Sequence, residues 1–174
     1  MMPEERRRPG PEEAAPYYYR YIDRIGSDDV VGVLEKQLAA SKGFFSAIPS
    51  EKSLHAYEAG KWTIRQVVNH VSDCERLFVS RAFWFARGFD TALPSFDQDV
   101  SAAEARANDV AWPAHIEDFE SVRRATITFF RNIPAEAWGR TGVASGNPFT
   151  VRSLAYIAAG HLDHHRAILE ERYL

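Results

Sequence analysis

The chain has a single cysteine, Cys74, among 174 residues, so an internal disulfide is excluded. No apolar run near the N-terminus has the form of a secretory signal. With the lone thiol this makes a cytoplasmic protein the expectation. Nowhere do apolar residues approach the run of about 18 that a membrane span requires. Basic residues are in the minority: 21 Lys and Arg against 24 Asp and Glu give a net charge of -3. The one basic run, Arg6-Arg7-Arg8, is balanced by Glu4, Glu5, Glu12 and Glu13. Nucleic acid and anionic membranes are therefore not expected partners. The period-two alternation of strands and any internal repeat are also missing.

What is present is a globular composition, 45% hydrophobic and 13% aromatic, in a length that suits one domain with a real core. Residues 1–16 hold four prolines and read as a flexible leader, which leaves 17–174 as a single helical domain. Ser27-Asp28-Asp29 caps a first helix that runs to about Ile48 and stops before Pro49. Thr63-Ile64-Arg65-Gln66 has the form of a capping box and opens a second helix, to about Arg87, closed by Gly88. Trp112-Pro113 opens a third, halted by Pro134. Gly142 to Pro148 reads as turns leading to Thr150, the cap of the last helix. The expected fold is all-α, a four-helix bundle with long connections.

The last helix carries the chemistry. Gly160-His161-Leu162-Asp163-His164-His165 places three of the six histidines within five residues. At about 100° per residue, Val151, Leu154, Ile157, Ala158, Leu162, Ile168 and Leu169 fill one sector, and His161 and His165 lie near its centre. His164 lies at its edge. Two imidazoles at i and i+4 on a buried face need polar partners, and one shared metal ion serves both. On the second helix His70 falls beside the buried sector, between Leu77 and Arg81, and is the natural third ligand.

Other polar residues in buried sectors admit two readings each. Cys74, one turn from His70, is either an apolar filler or a ligand. Asp73 points away from the sector and would at most support a ligand from behind. Gln37 and Ser41 interrupt the first helix's apolar stripe, through a bend, a hydrogen bond to a neighbouring helix, or an occupied cavity. Arg123, central in the third helix, either pairs with Glu75 or clamps a substrate anion. Arg123 and Gln37 are thus the candidate substrate-binding residues. Leu93 to Asp99 has no period and belongs to a long loop of the kind that carries function. The aromatic cluster Tyr17-Tyr18-Tyr19-Arg20-Tyr21, with Trp138, suggests an exposed apolar patch that a homodimer would cover.

Three segments, Trp62-Thr63-Ile64-Arg65-Gln66-Val67-Val68-Asn69-His70, Leu93-Pro94-Ser95-Phe96-Asp97-Gln98-Asp99 and Ala159-Gly160-His161-Leu162-Asp163-His164-His165, occur in that order. Together they resemble the DinB/YfiT-like superfamily of small bacterial metal-binding bundles, over nearly the whole chain after the first cap. The resemblance implies that the family's second-helix ligand is His70 and that its H-x-x-x-H pair is His161 and His165. It also matches the family's Phe-Asp-x-Asp stretch to Phe96 through Asp99 and its third-helix arginine to Arg123. Family members include thiol S-transferases using bacillithiol, mycothiol or glutathione, thiol-dependent maleylpyruvate isomerases, and proteins classed as metal-dependent hydrolases.

The leading expectation is a small-molecule enzyme in which three histidines hold a divalent ion, zinc by default and nickel next, that activates a thiol cosubstrate for S-transfer. His164 is the candidate proton acceptor. A hydrolase working through metal-bound hydroxide is the first alternative. A non-catalytic protein in which the metal ties two helices together is the second.

Overall fold

A computed structural model describes residues 7–174. In chain order it contains α1 (Tyr19–Ile22), α2 (Val30–Ser46), α3 (Ile64–Ala86), α4 (Gln98–Glu104), α5 (Trp112–Asn132), β1 (Thr141–Ala144), β2 (Asn147–Thr150) and α6 (Val151–Arg172). The long helices α2, α3, α5 and α6 make the bundle.

Their ends are set by local chemistry. Asp29 Oδ1 accepts from Gly32 N at 3.0 Å and starts α2. At the head of α3, Thr63 Oγ1 accepts from Gln66 N at 3.2 Å while Gln66 Oε1 accepts from Thr63 N at 2.9 Å. Thr150 and Ser153 form the same reciprocal pair at α6, both bonds 3.1 Å. Each cap satisfies amide groups that the first turn cannot, at about 1 kcal/mol apiece.

Two apolar clusters fill the bundle. One gathers Leu34, Phe85, Phe130, Trp138, Leu154 and Tyr156 toward the hairpin. The other gathers Phe45, Ile64, Val68, Trp112, Phe119 and Leu162. On α3 the seam between them runs between Val71 and Cys74, and on α6 between Ala159 and Leu162. His161 sits at that seam and His70 directly beside it.

Three features differ from the sequence expectations. The turn-rich segment before α6 is a hairpin, with Thr141 opposite Thr150 and Ala144 opposite Asn147. Strands of four residues are too short to display an alternation, and the turn is made by Ser145 (φ 52°) and Gly146 (φ 72°) in the left-handed region. The expected leader is the second difference. Residues 1–6 of it lie outside the described residues, but the part that follows is not a free leader: Arg8 is tied to Asp23 and Asp28, and Glu13 and Ala14 are fastened to the hairpin and the start of α6. Thr150 N donates to Glu13 O at 3.0 Å, Thr150 Oγ1 to Glu13 Oε2 at 2.9 Å, and Arg152 pairs with the same carboxylate. Ala14 is buried and bridges to Phe149. Third, Trp138 and Tyr21 are buried and Tyr18 packs edge-on to Phe149, which removes most of the exposed aromatic patch from which a dimer was expected.

Gly160 decides where α1 lies. A Cβ at that position would stand 2.0 Å from the backbone oxygen of Tyr21. Only glycine lets α1 cross α6 so closely, and the crossing puts the Tyr21 ring 5.2 Å from His161 and 5.4 Å from His164 between centroids. Among the described residues no helix is long and apolar enough to cross a membrane.

Candidate metal centre

The three histidines read as a ligand set are brought together, His70 from α3 and His161 and His165 from successive turns of α6. One ring nitrogen from each lies within 4.8 Å of the others. His161 Nε2 and His165 Nε2 are 3.2 Å apart. Two nitrogens each about 2.0–2.1 Å from one ion, at angles between octahedral and tetrahedral, stand about 2.9–3.4 Å apart. The observed spacing falls inside that interval. Burial favours the neutral rings: it pulls His70 down to about 4 against the opposing charge of Asp99. Burial, reinforced by His70 and His164, pulls His165 down to about 3. His161 is driven well below the ordinary value by burial and by its histidine neighbours. Three neutral imidazoles with converging lone pairs are the donor set that a divalent transition metal takes, so the trio fits such an ion.

The rings around the trio fix its members. Trp62 packs on His70 at 5.0 Å and Phe78 edge-on to His161 at 5.6 Å. His164, half-buried beside His165 at 5.1 Å, stays outside the trio at its rim. Cys74 Sγ lies 3.6 Å from both ring nitrogens of His70, within sulfur hydrogen-bond reach of either. Its thiol is pushed up to about 12 by burial and by Asp73, which makes it a filler with a weak donor. Asp73 accepts from Asn69 at 2.8 Å and Arg76 at 3.2 Å on its own helix. Asp97 caps α4, accepting from Asp99 N and Val100 N at 3.0 and 3.1 Å.

The candidate substrate residues Arg123 and Gln37 are instead joined to each other. Arg123, fully buried, donates from Nε and Nη2 to Glu75 Oε2 at 3.1 and 2.8 Å and from Nη1 to Gln37 Oε1 at 2.6 Å. Gln37 Nε2 continues to Ala159 O at 3.0 Å and Asp163 Oδ1 at 2.7 Å. Of the two readings of Arg123, the ion pair with Glu75 is the one present. Gln37 interrupts its apolar stripe because it bridges α5 to α6.

Two cavities flank the trio along the bundle and share no lining residue. One, of about 190 Å³, is lined by Tyr17, Tyr21, Cys74, Phe78, Arg81 and His161, with Phe96 from the loop before α4 and Gln98 from its first turn. The other, of about 230 Å³, is lined by Tyr57, Trp62, Val67, His165, Ile168 and Tyr173. Arg81 is the residue that the sequence analysis passed over. It follows His70 by 11 residues, about 20° around the helix, so helical spacing alone aligns it with His70.

Comparison with known proteins bears on this arrangement. No curated protein matches the chain. Among solved structures, YfiT from Bacillus subtilis, described as a probable metal-dependent hydrolase with an unusual four-helix bundle topology, superposes with a TM-score of 0.72 over 83% of each chain at 18% identity. At that identity the likeness establishes the fold. The family model of the DinB superfamily matches residues 34–169, a span that takes in most of α2 and all three histidines of the trio. By sequence model, and with a matching fold, the chain belongs to the DinB superfamily.

Proposed function

We propose that this protein is a metal-dependent enzyme acting on small molecules, and that its reaction joins a low-molecular-weight thiol to an electrophile. The observation that carries the reading is the histidine trio with a separate cavity at each end, one touching His161 and the other His165. Two cavities suit two reactants. His70, His161 and His165 would hold the ion, zinc first and nickel next on the nitrogen donor set. Bound there, a divalent ion supplies Lewis acidity that lowers the pKa of a coordinated nucleophile.

The chain's own groups do the rest. Cys74 is buried with its thiol pushed up to about 12 in the metal-free chain, which favours an external thiol over Cys74 as the nucleophile. His164, whose pKa is lowered by burial and then by Arg24 and Arg20, is neutral at pH 7 and offers a ring nitrogen at the rim as proton acceptor. Trp62, Phe78 and Tyr21 crowd the trio and exclude bulk water. Hydrolysis is the second reading, supported by the description of YfiT. Both readings use the same trio, and substrates separate them.

The test is a screen of metal-loaded protein with bacillithiol, mycothiol, glutathione and cysteine against monochlorobimane, beside a panel of esters and amides. Metal-dependent thiol consumption is the expected result. Metal-dependent ester or amide cleavage without a thiol would replace transfer by hydrolysis. Silence in both arms would leave a non-catalytic metal-binding protein.

A further inference from the structure

Arg81 is 3% exposed, yet no carboxylate among the described residues lies within 4 Å of it. Its Nη2 donates to Ser145 Oγ at 2.8 Å and to Pro94 O at 3.3 Å, both neutral acceptors, while its buried Nε has no hydrogen-bond partner. A buried guanidinium without a counter-charge carries a desolvation cost of several kcal/mol that neutral acceptors only partly offset. The same fold shows the ordinary solution in Arg123, equally buried and held by Glu75. Arg81 differs in where it lies: it lines the cavity whose other wall is His161. The hydroxyls of Tyr17 and Tyr21, 3.5 Å apart, line that cavity too, as does the Gln98 side chain. Burial lowers the pKa of Arg81, and the neighbouring Tyr18 hydroxyl, a neutral group of the same cavity that interacts with the guanidinium, opposes that shift; the charge persists at any physiological pH.

We infer that the cavity between Arg81 and His161 binds a small carboxylate, seated on the unpartnered side of the Arg81 guanidinium with the rest of the molecule directed toward the histidine trio. The inference rests on the trio being a reaction centre and adds the substrate class: one reactant is an organic anion. A carboxylate suits the site because it would supply the counter-charge that Ser145 and Pro94 do not, and would accept from donors they leave free, Nε–H among them. The tyrosine hydroxyls supply further donors, and the apolar walls from Phe78, Leu77 and Phe96 match a short carbon chain. Arg81 thus acts as a binding residue that sets which end of the reactant faces His161. Ser145, itself part of the cavity wall, and the Pro94 carbonyl hold the guanidinium in place, which connects the hairpin turn and the loop before α4 to substrate recognition.

The experiment uses metal-free protein and no turnover, so it succeeds or fails independently of the enzymatic reading. Butyrate and its neutral analogue butyramide are titrated into the full chain and followed by NMR. Butyrate should bind at least roughly tenfold more tightly than butyramide, the discrimination expected of a charge-assisted contact in a desolvated site. The Arg81 Nε–H signal should move with butyrate and stay still with butyramide. In Arg81→Gln the preference should vanish while metal uptake per chain, measured separately, stays at the wild-type value. Arg81→Lys should keep part of the preference.

Equal binding of the two probes by the wild-type chain would overturn the inference, as would a preference that survives in Arg81→Gln. Inorganic phosphate binding more tightly than butyrate would overturn the carboxylate assignment. Should Arg81→Gln fail to fold, the Nε–H response of the wild-type protein decides the question alone.

Discussion

Two buried arginines, 42 positions apart in sequence, show two ways of treating a charge inside one bundle. Arg123 is closed off: Glu75 takes two of its donors and Gln37 a third, and the chain of bonds passes on to Asp163. Arg81 is left open on a cavity, with Nε unpartnered. The histidines repeat the contrast. His115, equally buried, is matched to the Ala107 carbonyl at 2.8 Å, whereas His70, His161 and His165 face mainly one another. Arg123 and His115 find their partners within the fold, whereas Arg81 and the trio face a cavity or one another, the places to which the proposed metal and substrate are assigned.

The sharpest way to break the comparison is to open the closed arginine. Glu75→Ala leaves Arg123 buried without its carboxylate and should cost about 3–5 kcal/mol in denaturant unfolding, whereas Arg123→Met with Glu75→Met should recover most of that loss. A loss below about 1 kcal/mol for Glu75→Ala would show that Arg123 is not held by charge. Metal content is the next largest effect. His70→Ala, His161→Ala and His165→Ala should each reduce bound metal to below about a tenth of an equivalent by elemental analysis, because two protein ligands do not hold an ion against buffer. His164→Ala should retain it. Loss at His164 with retention at His165 would show that the wrong pair of α6 histidines has been assigned.

A smaller effect follows from protonation in chelator-stripped protein. The folded state holds His70 near 4 and His165 near 3, below the ordinary 6.5, so protons bind the unfolded chain more strongly. The stabilising effect of neutral rings is complete above about 6.5 and is lost as pH falls toward 4. The melting temperature should therefore drop between pH 7 and pH 5, and a flat profile would mean that the rings are not buried as described. The smallest effect should come from closing the open arginine. Arg81→Met removes two neutral hydrogen bonds but also an uncompensated charge, and unfolding free energy should change by no more than about 1 kcal/mol in either direction.

The four long helices were legible in the sequence because their signals are local: Asp29, Thr63 and Thr150 cap within three residues, and each apolar sector repeats over about 20 positions. The trio was legible for the same reason, since His161 and His165 declare a shared face and His70 needs only to lie on another inward one. Arg123 and Glu75 could be paired because both fall on buried faces, yet spacing alone could not choose between an ion pair and an anion clamp. Arg81 shows the limit more clearly. Its alignment with His70 is present in the spacing, but the lack of a carboxylate is a property of all the elements around it. The packing of α1 and the hairpin was hidden because four-residue elements carry no period. Their positions depend on contacts such as Gly160 with Tyr21 and Gly142 with Phe85, which only the assembled chain reveals.

The bonds that run from Glu75 through Arg123 and Gln37 to Asp163 touch all four long helices. Four amphipathic rods of similar length can be bundled in several ways that bury nearly the same apolar surface, left- or right-turning, or with one rod slipped by a turn. Leucines and phenylalanines distinguish poorly among those arrangements. A guanidinium that finds its carboxylate and its amide in only one of them discriminates strongly, since every competitor strands a charge. The network thus ties each of the four helices to the others in the arrangement that places His70 opposite His161 and His165.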